Sequence, residues 1–127
     1  MPQLVTFAFG SIAVYYGLRG ILAPASFAKD FGLPLESNRE QKQQPPYSPT
    51  SFVVTTGGRT AATGLAIAVL GYTGEIRAAG VVIGWCGLSG LVDTVYCYTA
   101  GAKGAVIQHS IGTVVLLGLG VWLRTGH

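Results

Sequence analysis

Four long apolar stretches along the chain predict four membrane-spanning helices. Each stretch is close to the roughly 20 residues that a helix needs to cross the bilayer core. The predicted spans extend over about residues 4–23, 53–72, 76–98 and 105–123. Pro24 ends the first span because proline cannot continue a helix, and short glycine-containing turns separate the last three. The pattern predicts an all-α protein with a single domain, residues 1–127, folded as an integral membrane antiparallel four-helix bundle.

The longest polar stretch, residues 35–50, separates the first two predicted spans. It has no apolar periodicity and contains three of the six prolines, so we expect an exposed loop or a lid over the bundle. Before this loop, Phe27 and Phe31 lie four residues apart, which puts both rings on one face of a short helical turn. We expect this turn to lie at the membrane interface, with its rings in the headgroup zone.

The composition agrees with a membrane protein. Half of the residues are hydrophobic and only 10% are charged, whereas a soluble domain usually has about 25% charged residues. The 19 glycines point the same way, because glycine is frequent in membrane helices and lets them approach closely. The net charge of +3 comes from scattered lysines and arginines, which gives no reason to expect nucleic acid as a partner.

The charges of the loops predict the orientation of the chain in the membrane. Four basic residues lie on the side of the long loop, and two lie on the side of both termini. They are Lys29, Arg39, Lys42 and Lys103 on the first side, and Arg77 and Arg124 on the second. We therefore expect a multi-pass protein with a cytosolic long loop, residues 24–52, in the endoplasmic reticulum membrane if the source is a eukaryote.

Each predicted span carries one ionisable residue near its long-loop end. These residues are Arg19, Arg59, Asp93 and His109. Because alternate spans run in opposite directions, all four lie on one side of the membrane, about 6–8 Å inside the boundary. Charges at this depth usually face a bundle interior or a water-filled cavity. We therefore predict a catalytic site in which Asp93 pairs with Arg19 or Arg59, and His109 faces the same interior.

These residue types suit acid–base chemistry. A neighbouring arginine would keep Asp93 ionised as a general base or nucleophile in a low-dielectric site. His109 can supply or take up a proton, because histidine titrates near neutral pH. Helical spacing predicts a polar pocket with aromatic walls around these residues. The expected substrate-binding residues are Tyr15, Tyr16, Ser89, Tyr96 and Trp85.

The same residues also have purely structural interpretations. Arginine–aspartate pairs in membrane bundles often fix the helix register without any chemistry, and tyrosines near an interface often anchor the protein there. No spacing of cysteine and histidine is typical of a zinc site, and Asp93 with His109 alone gives too few ligands for a metal. We expect neither a metal nor a cofactor.

Several short motifs resemble a known family. Gly17-Leu18-Arg19, then Pro24, Phe27 and Phe31-Gly32-Leu33-Pro34, are similar to the opening of small four-helix membrane proteins of fungi and some bacteria, catalogued as a domain of unknown function. Gly58-Arg59, Asp93 and His109-Ser110-Ile111-Gly112 are similar to later signatures of that family. The resemblance implies the four-helix fold. It also implies a link to fungal polyketide or terpenoid pathways, where such proteins are proposed to open epoxides or cyclise oxygenated intermediates.

The leading hypothesis is a small integral membrane enzyme that opens or rearranges a lipophilic oxygenated substrate, an epoxide, by hydrolysis or cyclisation. Asp93 would be the base or nucleophile, the two arginines would hold it ionised, and His109 or a tyrosine would protonate the leaving oxygen. The alternatives are a non-catalytic carrier or assembly subunit, and an ion or proton pathway. The expected partners are a lipophilic small molecule and membrane lipids, and a homo-oligomer is also compatible with the sequence.

Overall fold

The computed structural model describes residues 1–32 and 49–126, and within these ranges the regular structure is entirely helical. The helices are α1 (Pro2–Leu22), α2 (Pro24–Asp30), α3 (Pro49–Tyr72), α4 (Ile76–Thr99) and α5 (Lys103–Thr125). All but the short α2 are long and apolar enough to cross a membrane. The predicted all-α fold of four membrane-spanning helices is confirmed, and it indicates a multi-pass membrane protein.

The largest difference from the predicted boundaries is at the start of α3. The prediction has a loop up to residue 50 and a span from residue 53, but α3 begins at Pro49. Proline is tolerated in the first turn of a helix, because its missing N–H has no intrahelical acceptor there. The other ends of the four long helices fall within two residues of the prediction. Residues 35–48 of the predicted loop lie outside the described residues.

Both chain termini lie at the same end of the bundle, as predicted. Met1 and Gln3 line a surface depression together with Glu75 and Arg77 from the turn between α3 and α4. At the same end, α4 approaches the last turn of α5, which contains Arg124. We call this the terminus end, and we call the opposite end, where α1 stops and α3 starts, the long-loop end.

The helices α1 and α3 form a tight antiparallel pair through glycine contacts. A Cβ added to Gly10 would come within 2.5 Å of the Ala68 nitrogen, and one added to Gly20 would come within 2.9 Å of the Gly57 Cα. Side chains larger than hydrogen therefore do not fit at these points without a shift. Close backbone approach of this kind is how membrane helices gain packing energy, since lipid tails remove most of the hydrophobic driving force.

The helices α4 and α5 form a second tight pair on the same principle. A Cβ at Gly80 would lie 3.0 Å from the Gly120 carbonyl oxygen, and one at Gly87 would lie 2.9 Å from the Leu117 Cγ. Neighbouring glycines along α4 thus lie against successive turns of α5. The four spanning helices are therefore organised as two helix pairs.

The two pairs meet along one seam, and the terminus half of this seam is a hydrophobic core. Ile67, Ile83 and Leu123 form its fully buried centre. Partly buried side chains from α1, α4 and α5 complete it: Phe9, Ile76, Val82, Cys86, Leu116 and Leu119. All these residues lie in the halves of their helices nearest the terminus end. The apolar core therefore holds the pairs together mainly at that end.

The short helix α2 covers the seam at the long-loop end. The rings of Phe27 and Phe31 stack with their centroids 5.9 Å apart, which confirms the predicted turn with both rings on one face. Phe27 lies beside Gly20, and Gly32 brings the chain against Ala105 of α5 in a left-handed conformation with φ of 89°. The rings pack against the spanning helices at the long-loop end, and their place in the headgroup zone stays a prediction.

Candidate functional site

Arg19 and Arg59 lie at the same level of the first helix pair. Gly17 of α1 packs against Ala61 of α3, and the same antiparallel register places Arg19 beside the level of Arg59. Arg19 is two residues after Gly17, and Arg59 is two residues before Ala61. At 3.6 residues per turn, a separation of two residues rotates a side chain by about 200° around the helix axis, away from the contact between the helices. Their side chains therefore leave the pair on its outer sides.

The partner of Arg19 is Asp30 of α2. The guanidinium donates to the Asp30 carboxylate at 2.7 Å and to the Ser26 hydroxyl at 2.9 Å. Among the described residues, neither Arg19 nor Arg59 forms an ion pair with Asp93, so the predicted pairing is wrong. The reason is chain proximity: α2 folds back over the end of α1, and a partner 11 residues away is reached with little loop-closure entropy.

Asp93 and His109 come together from α4 and α5. One helical turn deeper on each helix, Gly90 packs against Thr113, so the register of the pair brings Asp93 and His109 to similar depth. His109 lies close enough to Asp93 for an electrostatic interaction, and both residues are half-buried. The ionisable side chain that the helix register brings to the level of Asp93 is therefore a histidine and not an arginine.

Asp93 lies nearer the long-loop end than the arginines. Arg59 is 13 residues before the end of α3 at Tyr72, whereas Asp93 is 17 residues after the start of α4 at Ile76. Because a tight turn joins the two helices, this difference amounts to about one helical turn, or roughly 6 Å. The four ionisable residues lie in the halves of their helices nearest the long-loop end, but Arg59 is close to the middle of α3, ten residues after Pro49. The predicted single layer is therefore two groups at different depths.

Asp93 and His109 continue the helix faces that build the hydrophobic core. Cys86 and Asp93 are seven residues apart on α4, as are Leu116 and His109 on α5, and residues seven apart lie on the same face of a helix. Cys86 and Leu116 pack against the core. Asp93 and His109 therefore face the long-loop half of the seam, where the apolar core has ended.

The end of α2 fixes the orientation of His109. Its Nε2 lies 3.2 Å from the Phe31 carbonyl oxygen, and the two rings are in contact with centroids 4.2 Å apart. A carbonyl oxygen can only accept a hydrogen bond, so Nε2 carries the proton and donates it. Nδ1 is then the nitrogen through which His109 can exchange a proton. The contribution of the Phe31 carbonyl is a backbone property that no residue pattern identifies.

A buried hydroxyl lies one turn below His109. Thr113 Oγ1 has no hydrogen-bond partner within the described ranges, although several other helical threonines donate to the carbonyl four residues earlier, as Thr94 does to Gly90. The Thr113 hydroxyl instead occupies the space beside Gly90, 2.7 Å from where a Cβ would lie. It is the deepest polar group of this cluster, at the position one turn in from His109 that helical spacing predicts for the polar pocket.

The predicted aromatic wall residues lie on the outer surface of the helices. Tyr15, Tyr16, Trp85 and Tyr96 are between 46% and 67% exposed, and the exposed Ser89 hydroxyl donates to the Trp85 carbonyl at 3.4 Å. The reason is that both pairs use their glycine faces for packing, which turns large side chains outward. An enclosed pocket with these walls does not form in the described chain, and a binding role for the five residues stays a prediction.

The comparisons with known proteins agree with this architecture at the level of the family. A family model with the description "Domain of unknown function (DUF4267)" matches residues 10–123, and the chain therefore belongs to this family. Asp93, His109 and both arginines lie within the matched range. Neither the curated proteins nor the solved structures contain a match to the chain.

Proposed function

We propose that this member of the family is a small membrane enzyme that opens or rearranges a lipophilic oxygenated substrate, with an epoxide as the best fit. One observation carries the proposal: Asp93 and His109, both half-buried, lie at similar depth on the paired helices α4 and α5, on the faces that continue the core. A base and an acid positioned side by side are what general acid–base catalysis requires. Ionisable residues inside membrane spans are costly to keep, which favours a functional role.

For hydrolysis, Asp93 takes a proton from a water molecule while the water oxygen bonds to one epoxide carbon. The bond between that carbon and the ring oxygen breaks, and protonated His109 gives its Nδ1 proton to the ring oxygen. The product is a vicinal diol, and transfer of the proton from Asp93 to His109 restores both groups. In a cyclisation, a hydroxyl group of the substrate takes the place of water.

The surroundings of the two residues favour a lipophilic substrate. The seam below them is lined by aliphatic side chains such as Leu116, and the spanning helices expose apolar side chains on their outer surfaces. An apolar substrate would therefore keep its oxygen near Asp93 and His109 and the rest of the molecule in the membrane. Polyketide and terpenoid epoxides have this character, and a cytosolic long loop at the endoplasmic reticulum would suit their delivery.

The first test is the Asp93→Asn variant, which keeps the side-chain size and removes the negative charge. We expect turnover of epoxydodecane by the detergent-purified protein to fall by about 10²–10⁴, the usual effect of a positioned acid or base. Asp30→Asn is the matched control, because it makes the same change in a carboxylate at the same end that pairs with Arg19. Its turnover should not fall and should rise at most about fivefold, because the loss of the pair loosens α2 by at most about 1 kcal/mol.

Turnover is measured as diol formed per folded protein, with the folded fraction taken from circular dichroism and size-exclusion chromatography. Heavy-oxygen water identifies the attacking oxygen, since the label enters the diol only if water is the nucleophile. Normal specific activity in folded Asp93→Asn would eliminate the mechanism. Absence of turnover in the folded wild-type protein would instead favour a carrier, an assembly subunit or a proton pathway.

The second test, His109→Gln, separates proton transfer from the docking of α2. The glutamine amide can still donate a hydrogen bond to the Phe31 carbonyl, but it does not titrate near neutral pH. We expect turnover to fall by a similar factor, stability to change little, and the pH dependence of the rate near neutrality to flatten. Unchanged turnover would assign the acid to water or to a tyrosine hydroxyl.

A further inference from the structure

The hydroxyl group of Thr113 is buried and makes no hydrogen bond to the described chain. Thr113 is 7% exposed, and its Oγ1 has no partner among the residues that the structure describes. The large majority of buried hydroxyl groups have a partner, because an unpaired one costs free energy. Thr6 is also buried, and its hydroxyl donates to the Pro2 carbonyl at 2.8 Å. The partner of the Thr113 hydroxyl is therefore expected from outside the described chain.

The helix faces that form the apolar core become polar toward the long-loop end. Seven residues along each helix, a polar side chain follows a core side chain on the same face: Thr60 follows Ile67 on α3, Asp93 follows Cys86 on α4, and His109 follows Leu116 on α5. All three polar residues are half-buried. Thr113 lies between His109 and Leu116, where the apolar half of the seam ends. A site with several polar groups that is not fully enclosed suits a bound water molecule.

The side chains of Asp93 and Thr113 converge. Helical side chains tilt toward the N-terminus of their own helix. Because α4 and α5 are antiparallel, Asp93 tilts toward the terminus end and Thr113 tilts toward the long-loop end. Thr113 is level with Gly90, which is three residues, or about 4.5 Å, below Asp93. One water molecule can bridge such a gap, since two successive hydrogen bonds span about 5.5 Å.

We propose that Thr113 binds the water molecule that attacks the substrate, as a positioning residue for Asp93; this rests on the proposed function. The water accepts a hydrogen bond from the Thr113 hydroxyl and donates one to the Asp93 carboxylate. One lone pair of the water oxygen stays free for the attack. Asp93 takes the donated proton while the water oxygen bonds to the epoxide carbon. The bond from that carbon to the ring oxygen breaks, and His109 protonates the ring oxygen.

The levels of Thr113 and His109 fit the stereochemistry of this attack. A nucleophile reaches an epoxide carbon from the side opposite the ring oxygen. Thr113 lies four residues deeper than His109 on α5, or about 6 Å. A substrate between these levels would meet the water on its deeper side and the histidine proton on the other. A water bound at Thr113 therefore favours hydrolysis over cyclisation.

The kinetic experiment compares the wild type with Thr113→Val, Thr113→Ser and Thr6→Val, using epoxydodecane as the substrate. Valine keeps the size of threonine and removes the hydroxyl, whereas serine keeps the hydroxyl. We expect kcat of Thr113→Val to fall by about 10–100-fold with little change in KM, because a misplaced nucleophile slows the chemical step alone. Serine should restore most of the rate. Thr6→Val, the matched control, removes a buried hydroxyl that is already paired and should keep the wild-type kcat.

Contact with water is measured without turnover, in the full chain in lipid nanodiscs. Threonine methyl groups are isotopically labelled, and NMR cross-peaks between water and these methyl groups are recorded. We expect a cross-peak at the Thr113 methyl group and none at that of Thr6, which is equally buried but bonded within the chain. This measurement uses the wild type, so it decides the question even if Thr113→Val does not fold.

Three results would overturn the proposal. The first is a normal kcat in folded Thr113→Val, and the second is the absence of a water cross-peak at Thr113. The third is a raised KM with unchanged kcat, which would assign the hydroxyl to substrate binding. Absence of turnover in the wild type would instead refute the proposed function. The cross-peak alone would then decide whether Thr113 binds water.

Discussion

Replacing Gly17 by alanine tests whether close backbone contact holds α1 and α3 together. The new methyl group would overlap the backbone of Ala61, and the separation between the two Cβ atoms would be only 2.7 Å. Carbon atoms in contact prefer about 3.5–4.0 Å, so the helices must separate locally by about 1 Å. Because the overlapping atoms include backbone, a side-chain rotation cannot relieve the contact.

The size of the effect follows from this rigidity. Overpacking a well-packed interface typically costs about 1–3 kcal/mol, and we expect the upper part of this range for Gly17→Ala. Gly58→Ala is the matched control, since a Cβ at residue 58 meets nothing within 4 Å. Alanine is a better helix former than glycine by up to about 1 kcal/mol, so the control should be neutral or stabilised. The two variants should differ in free energy of unfolding by about 3 kcal/mol.

The assay is reversible unfolding of the purified protein in mixed micelles of increasing dodecyl sulfate content, followed by circular dichroism. At about 1.4 kcal/mol per factor of ten, the expected difference is about a hundredfold in the unfolding equilibrium. Equal stabilities of Gly17→Ala and Gly58→Ala would refute the reasoning, because the contact of α1 with α3 would then tolerate a methyl group. A loss of stability in both variants would indicate an effect of lipid contact instead, because helix propensity favours alanine.

Three further changes test the long-loop end. Thr113→Val should raise the free energy of unfolding by about 1–3 kcal/mol if its buried hydroxyl is unpaired, whereas a loss would indicate a water partner. Gly32→Ala should cost about 1–3 kcal/mol, because φ of 89° is strained for alanine, and it should shift the His109 imidazole resonances. Asp30→Asn should cost at most about 1 kcal/mol, since its pair with Arg19 is half-exposed.

The sequence was sufficient for the number of helices and for the end of the bundle at which the charges gather. Length and apolarity determine a membrane span almost independently of its neighbours, so the positions of Asp93 and His109 within their spans follow directly. Alternating direction then brings them to one end. The contact between Phe27 and Phe31 could also be predicted, because it depends only on a spacing of four residues within one short helix.

Hydropathy does not predict which face of each spanning helix packs against its neighbours. All four spans are apolar around their whole circumference, so no polar side marks which residues point outward. This is why Tyr15 and Trp85 were expected inside the bundle and lie on its surface. The glycines carry the missing information, since Gly10 and Gly17 mark the packed face of α1. The pairing of Arg19 with Asp30 depended further on how α2 folds back, which no periodicity encodes.

The seam between the two helix pairs is packed more tightly at the terminus end than at the long-loop end. A small molecule could therefore reach Asp93 and His109 from the long-loop end without disturbing the fold. Each helix pair is locked by glycine contacts, and the pairs share an apolar core at the terminus end. At the long-loop end, the covering contacts of α2 include one hydrogen bond to His109 and the Arg19–Asp30 pair, whose side chains are 30% and 54% exposed. Such contacts are worth about 1–3 kcal/mol together. A cost of this size corresponds to a state with α2 displaced at roughly 0.6–15 per cent, which would admit the proposed substrate from the membrane surface.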